Sequence, residues 1–414
     1  MKLEFYNCPK PEELNPNILP KDVGPALNSS TASSLGFLNY IPDFHLIEQY
    51  VKTYEGFENL LVIGHGGSIT SFYGFYHALK DQIHPHPGPL PKGEGGRSKQ
   101  VYFLSTVDPD YIYKLKAKLK PEDTLVIAIS KSGENTTQIE MMMQFADYPL
   151  LIITGKSSSL RAIGENLKAK IILHPDIGGR YTGLTEVALL PAALCGIDVK
   201  ALFQGAEEFY HQYQKTNLAW QAASVFYQLE QKGFVDVFMP FYSHNLFAMS
   251  AVIIQLCHES FGKNGKGQTY FAHEAPESQH HTNQRFFGGT KNICGFFTTS
   301  ENFLHSEISD FPDAIHSVQL KGRLLSDINK ISLQKSLSFE ALGTIEDARI
   351  NSIPLAHLSI KGFEPMEIGF LIAFWQLYAV YSSILRQVDP FDQPQVENSK
   401  KISFNKRLEY KGLL

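Results

Sequence analysis

From Asn59 onward, short runs of Val, Ile and Leu alternate with longer helix-like stretches, and this alternation constrains the fold more than any other feature of the chain. Apolar runs of four to seven residues without internal polar alternation are strands covered on both faces, as parallel strands joined by crossover helices are. The first half is therefore expected to be α/β, with strands at 60–63, 101–105, 125–130, 150–154 and 171–174, followed by a short helix running through Leu190 and capped by Thr182 or Thr185. The second half repeats the theme less regularly, with strands expected at 234–239, 293–297 and 357–360 and a long helical stretch at 203–231 opening it. The expected organisation is an N-terminal arm at 1–45, a first α/β domain at 46–200, a second at 201–388, and a polar C-terminal loop and helix at 389–414. Within the first domain, 84–99 reads as a Pro/Gly-rich surface insertion; His84 and His86 in it belong to a solvated loop rather than to a metal site.

A chain of 414 residues that is 43% hydrophobic and 19% charged has ample material for a large core. Its formal charge of −5, without a Lys/Arg cluster, excludes the electrostatic footprint of a nucleic-acid or acidic-membrane binder. The apolar stretch 369–385 contains Gln376, Ser382 and Ser383 and falls short of the roughly 20 apolar residues of a membrane span, so a buried helix is expected there. Cys8, Cys195, Cys257 and Cys294 are far apart, with no C-x-x-C pair, so neither a zinc site nor a disulfide framework is expected. The polar N-terminal residues lack the apolar core of a secretory signal, and a cytoplasmic location is expected.

Two strand-to-helix turns carry chemistry. Gly64-His65-Gly66-Gly67-Ser68 follows the first strand, and glycines there let backbone amides approach an anion at the start of a helix. Ser130-Lys131-Ser132-Gly133-Glu134-Asn135-Thr136-Thr137 follows the third, offering hydroxyls and a lysine to a phosphate monoester. Ser68, Ser130, Lys131, Ser132 and Thr136 are the candidate phosphate ligands, and Gly66 and Gly67 the candidate backbone contacts. A purely structural Ser/Thr cap is the alternative.

Together these turns resemble the sugar isomerase domain, a flavodoxin-like module. Two further stretches, Gly178-Gly179-Arg180-Tyr181-Thr182 and Phe391-Asp392-Gln393-Pro394-Gln395-Val396-Glu397-Asn398-Ser399-Lys400, resemble the two signatures of the glucose-6-phosphate isomerase family, and Glu259-Ser260-Phe261-Gly262-Lys263 resembles its E-S-x-G-K segment. The resemblance spans roughly 60–400, with Gln395, Asn135 and His65 as departures from the usual pattern. It implies two three-layer αβα sandwich domains with mainly parallel sheets, an active site in the cleft between them, and a homodimer in which a neighbour can contribute to each site. It implies an aldose-ketose isomerase using neither metal nor nucleotide cofactor. Glu259 is the expected acid/base, with Glu277 second. Arg180 is the expected stabiliser of the enediolate, His280 and Lys400 assist ring opening, and Gly179 and Gln393 line the substrate. The alternatives are a dual isomerase that also accepts mannose 6-phosphate, and a silent phosphosugar-binding regulator.

Overall fold

The computed structural model describes residues 1–15, 35–82 and 99–414. Five parallel strands form one sheet in the spatial order Gln100–Leu104, Asn59–Ile63, Thr124–Ser130, Leu150–Thr154, Lys170–Leu173. Counted along the chain this order is 2-1-3-4-5, the flavodoxin-like arrangement. Its crossovers diverge between the first and third strands and leave a crevice beyond their carboxyl ends. Strands 124–130 and 150–154 are buried at every residue, which is why they appear in the sequence as unbroken apolar runs. The expected α/β class with mainly parallel sheets is the one observed, and the eight expected strands are all present with ends displaced by no more than three residues. The Pro/Gly insertion lies outside the described residues, apart from Lys99.

The second sheet runs Lys2–Tyr6, Leu355–Ile360, Ile293–Ser300, Asp236–Tyr242, Thr269–Glu274. Its last four strands are parallel and repeat the 2-1-3-4 order of the first sheet. Two of these five were not expected. Lys2–Tyr6, placed in an N-terminal arm by the sequence, pairs antiparallel with 355–360, Leu3 opposite Leu358. Edge strand 269–274 mixes Thr, His and Glu with its apolar residues and so lacks an apolar run. The helical stretch at 203–231 is two helices, Val199–Tyr210 and Leu218–Gln231, because Asn217 breaks it and caps the second by accepting the Trp220 amide at 3.1 Å. Of the two candidate caps before Leu190, Thr185 caps the helix Glu186–Leu194.

The apolar stretch near the C-terminus is the helix Pro365–Arg386, long and apolar enough to cross a membrane by composition, with 89% of its most apolar window buried inside the protein. It packs on the helices 199–210, 218–231 and Ser250–Phe261. Gly205 and Gly369 permit the closest crossing, since a Cβ on Gly369 would lie 1.9 Å from the Leu202 carbonyl oxygen. Two of its polar groups are paired in the core: the Gln376 carbonyl oxygen accepts from the Tyr210 hydroxyl, and Tyr378 meets Tyr270. One continuous hydrophobic cluster joins the inner faces of both sheets through this helix, so the loops at the strand ends are held by a shared core.

Candidate active site

Arg180 is the centre of the site. It sits in the 3-10 turn Gly179–Leu184 that follows the last strand of the first sheet, 2% exposed, at the junction of three segments distant in sequence. A guanidinium has five N–H donors, and all five are engaged. Nε donates to Ser260 Oγ at 2.9 Å, Nη1 to Glu259 Oε2 at 3.0 Å and Gln393 Oε1 at 2.8 Å, and Nη2 to the carbonyls of Pro390 at 2.6 Å and Asp392 at 2.9 Å. A buried cation is tolerated only when paired and fully hydrogen-bonded, and this one is both. Lys263 holds the same 389–393 loop from the other side, through the carbonyls of Asp389 and Asp392 and the Asp392 carboxylate. Burial pulls the Lys263 ammonium below the ordinary lysine range, and Asp392 opposes the shift. Phe391 packs on Tyr181, with ring centroids 5.1 Å apart. The F-D-Q loop is thus an irregular segment shaped by two cations.

Glu259 lies in the last turn of the helix 250–261 and is 30% exposed, so its carboxylate reaches both the buried arginine and open space. Its second oxygen accepts from Gln255 Nε2 at 3.1 Å, one helical turn earlier, and Gln255 Oε1 accepts from the Thr70 hydroxyl at 2.9 Å. The first glycine turn is shaped around these groups. Gly66 has φ +51° and faces Gln255, where a Cβ would lie 2.7 Å from Nε2. Gly67 abuts Gly179, and a Cβ on Gly67 would lie 2.1 Å from the Gly179 carbonyl carbon. The two turns therefore need the glycine at 67 to meet at all, whereas a Cβ on Gly179 would lie at an ordinary 3.8 Å from the Gly67 Cα. Ser68 is half-buried, and its amide closes the turn onto the His65 carbonyl at 3.2 Å.

The second turn lies across the crevice. Ser130 is buried and its Oγ accepts the Gly133 amide at 3.1 Å, so it shapes the loop from within. Ser132 and Lys131 are exposed, and Thr136 begins the helix Thr136–Met143. Asn135 caps that helix, accepting the Gln138 amide at 3.3 Å, and Glu134 accepts the amide and hydroxyl of Ser159, at 2.7 and 2.9 Å, at the start of the helix Ser159–Asn166. Lys131 pairs with Asp176 at 2.8 Å, and this bond holds the Asp176 carboxyl below its usual range.

Lys400 is on the terminal helix Glu397–Tyr410, half-exposed and paired with Glu397 at 2.7 Å. His280 is not brought to Arg180. It ends the 3-10 turn Glu277–His280 and lines a surface cleft of about 630 Å³ with Gln279, Asn283 and Glu340. Glu277 is exposed at the start of the same turn and makes no ion pair with Arg180, whereas Glu259 does. His281 bonds to Thr282 at 2.6 Å. Sequence reasoning missed Gln255, Thr70 and the supporting role of Ser260 and Lys263. The spacing of Gln255 four residues before Glu259 was the available signal. Among the described residues no cluster of His, Cys, Asp or Glu is arranged to hold a metal.

Two mainly parallel sheets that share the strand order 2-1-3-4, with a hydroxyl-and-lysine loop at the switch point of one and a buried arginine paired with a carboxylate between them, define a tandem sugar-isomerase type of fold. It is similar to the fold of a hypothetical protein from Thermus thermophilus (TM-score 0.79, 24% identity, 95% of this chain and 93% of that one). It is also similar to that of a glucose-6-phosphate isomerase from Chlamydia trachomatis (TM-score 0.73, 19% identity, 89% and 73%). The phosphoglucose isomerase family model matches residues 48–411, and the chain belongs to that family. Among its relatives are glucose-6-phosphate isomerases of Carboxydothermus hydrogenoformans (26% identical, 89% of this chain and 84% of the relative) and Enterococcus faecalis (27%, 92% and 89%).

Proposed function

We propose that the protein interconverts glucose 6-phosphate and fructose 6-phosphate through an enediol, in glycolysis and gluconeogenesis, and that Glu259 carries the proton between C2 and C1. The observation that carries the assignment is the Glu259–Arg180 pair, 3.0 Å apart where both signature segments meet. With Gln255 and Arg180 on its two oxygens, the carboxylate is held in one orientation and still presents a lone pair to the open side. It takes the proton from C2 of the open-chain sugar, the C1 carbonyl oxygen becomes the enediolate oxygen, the C2 hydroxyl proton passes to that oxygen, and the carried proton returns at C1 as the C2 carbonyl forms. Arg180 stabilises the enediolate by its permanent charge. Because all five of its donors are engaged, a direct bond to the enediolate requires one partner to yield, and of the two acceptors on Nη1 Gln393 is the neutral one. Ser68, Lys131, Ser132 and Thr136 hold the phosphate, with Ser130 shaping their loop; Gly66, Gly67 and Gly179 bring the turns close enough to line the sugar. Lys400 and His280 move protons at the ring oxygen and the C1 hydroxyl. The reaction calls for no metal or nucleotide, and it belongs to the cytoplasm.

His280 stands apart from Arg180 within one chain, and this supports a homodimer in which the neighbour's copy of that histidine completes each site. The segment 303–333 supports it further, because it exposes Leu304, Ile308, Ile315, Val318, Leu320 and Leu324. In mixed dimers of Glu259→Gln and His280→Ala chains, one site in each heterodimer is intact, so activity returns to about a quarter of wild type. Recovery absent from a verified heterodimer removes the shared site. The primary test is conversion of fructose 6-phosphate in the presence of a chelator by wild type, Glu259→Gln and Glu277→Gln. Activity lost only at Glu259 is expected; loss only at Glu277 moves the base, and a folded, inactive wild type that still binds phosphosugar refutes the reaction.

A further inference from the structure

His65 interrupts the first glycine turn, and neither phosphate binding nor turn geometry accounts for an imidazole there. Its Nε2 lies 3.1 Å from Thr137 Oγ1, and the Thr137 hydroxyl also meets Asn135 Oδ1 at 2.7 Å. Asn135 Oδ1 is an acceptor, since it also takes the Gln138 amide. The single hydroxyl proton of Thr137 therefore points to Asn135, and His65 Nε2 must carry hydrogen and donate to Thr137. In the neutral imidazole the lone pair is left on Nδ1, which meets no hydrogen-bond partner among the described residues.

The terminal helix is pinned to the helix that begins at Thr136. Arg407 makes a bidentate pair with Glu140, 2.6 and 2.7 Å, and Glu140 is one turn beyond Thr137 on the same helix face. Lys400 is seven residues before Arg407, two turns away on the matching face. The pin at Glu140 holds the terminal helix against the helix that carries Thr137, and the Lys400 charge is felt by the imidazole.

We propose that His65 is a positioning residue for Lys400, its Nδ1 lone pair accepting the ammonium when Lys400 leaves Glu397 to face the bound sugar. This rests on the proton-transfer role given to Lys400 above. The geometry requires a neutral ring, and burial first, then the Lys400 charge, lowers the His65 pKa. The other charged groups around the ring are already engaged: Glu140 with Arg407, Lys131 with Asp176, Glu134 with Ser159, and, beyond Gly66 and Gln255, Glu259 with Arg180.

Two measurements test it. By linkage, removing the Lys400 charge must raise the His65 pKa, so ring-proton NMR titration of wild type and Lys400→Met, without substrate, is expected to show an upward shift. In kinetics, His65→Gln keeps a donor for Thr137 but offers no acceptor at the Nδ1 position, whereas His65→Asn offers an oxygen there. The expected result is a kcat lower by about tenfold in His65→Gln with KM within about twofold, partly restored in His65→Asn, and an acid limb of the pH profile changed in both, its His65 contribution being absent. A His65 titration unmoved by Lys400→Met, or a His65→Gln protein that changes KM alone, overturns the proposal. A wild type without isomerase activity refutes the function instead, because the titration reports on the His65–Lys400 pair independently.

Discussion

Arg180→Lys keeps the positive charge at the centre of the site and removes the geometry, so it separates what the charge does from what the five-donor fork does. A lysine has three donors at one point, while the structure presents five acceptors on Ser260, Glu259, Gln393, Pro390 and Asp392. At least two acceptors lose their partner. At about 1–3 kcal/mol for each buried group left unpaired, the variant loses about 2–6 kcal/mol of stability, concentrated in the 389–393 loop. For catalysis, a misplaced cation at the enediolate resembles the loss of one oxyanion donor, about 10²–10³ in kcat or about 2.7–4 kcal/mol. A coupled assay of glucose 6-phosphate formation, run with thermal unfolding on the same preparations, reads both quantities. Hydrogen exchange localises the loosening to the loop. A variant that keeps more than about a third of wild-type kcat and the wild-type melting temperature would falsify the view that the fork, rather than the charge alone, organises the site.

Gln255→Leu frees one oxygen of Glu259 and is expected to lower kcat by about tenfold while KM moves little, since a hydrogen bond to a charged group is worth about 1.5–3 kcal/mol; steady-state kinetics decide it. Gly67→Ala forces a Cβ to 2.1 Å from the Gly179 carbonyl carbon, so soluble yield and melting temperature fall together with activity, whereas an alanine tolerated without any shift removes the close-approach account. His174 is buried with Nδ1 2.7 Å from the Pro175 carbonyl, and burial pushes its pKa down to about 4. The unfolded chain takes up a proton below about pH 6.5 that the native ring refuses, so stability is fully present above that pH and declines towards pH 4, by at most about 3 kcal/mol. Urea unfolding of wild type and His174→Asn at pH 7 and pH 5 should show the larger loss in wild type; parallel losses remove His174 from the acid response.

The sequence alone determined the parts of this protein that depend on local pattern. Strands buried on both faces must be apolar at every position, so Thr124–Ser130 and Leu150–Thr154 were legible as runs, and strand-to-helix turns that bring backbone close to other groups need glycines and hydroxyls at fixed offsets. Edge strands carry weaker signals, because one side faces solvent or a partner that arrives from far along the chain, as Lys2–Tyr6 does against 355–360. The site was legible as residue types and illegible as a network. Arg180 and Gln393 are 213 positions apart, and nothing local announces that the arginine has no free donor, that Gln255 holds the second oxygen of Glu259, or that Gly67 is shaped by Gly179. Those facts come from the topology, whose switch point and shared core bring three remote segments onto one buried charge. The same topology keeps His280 away from it, since the turn 277–280 follows an edge strand of the other sheet.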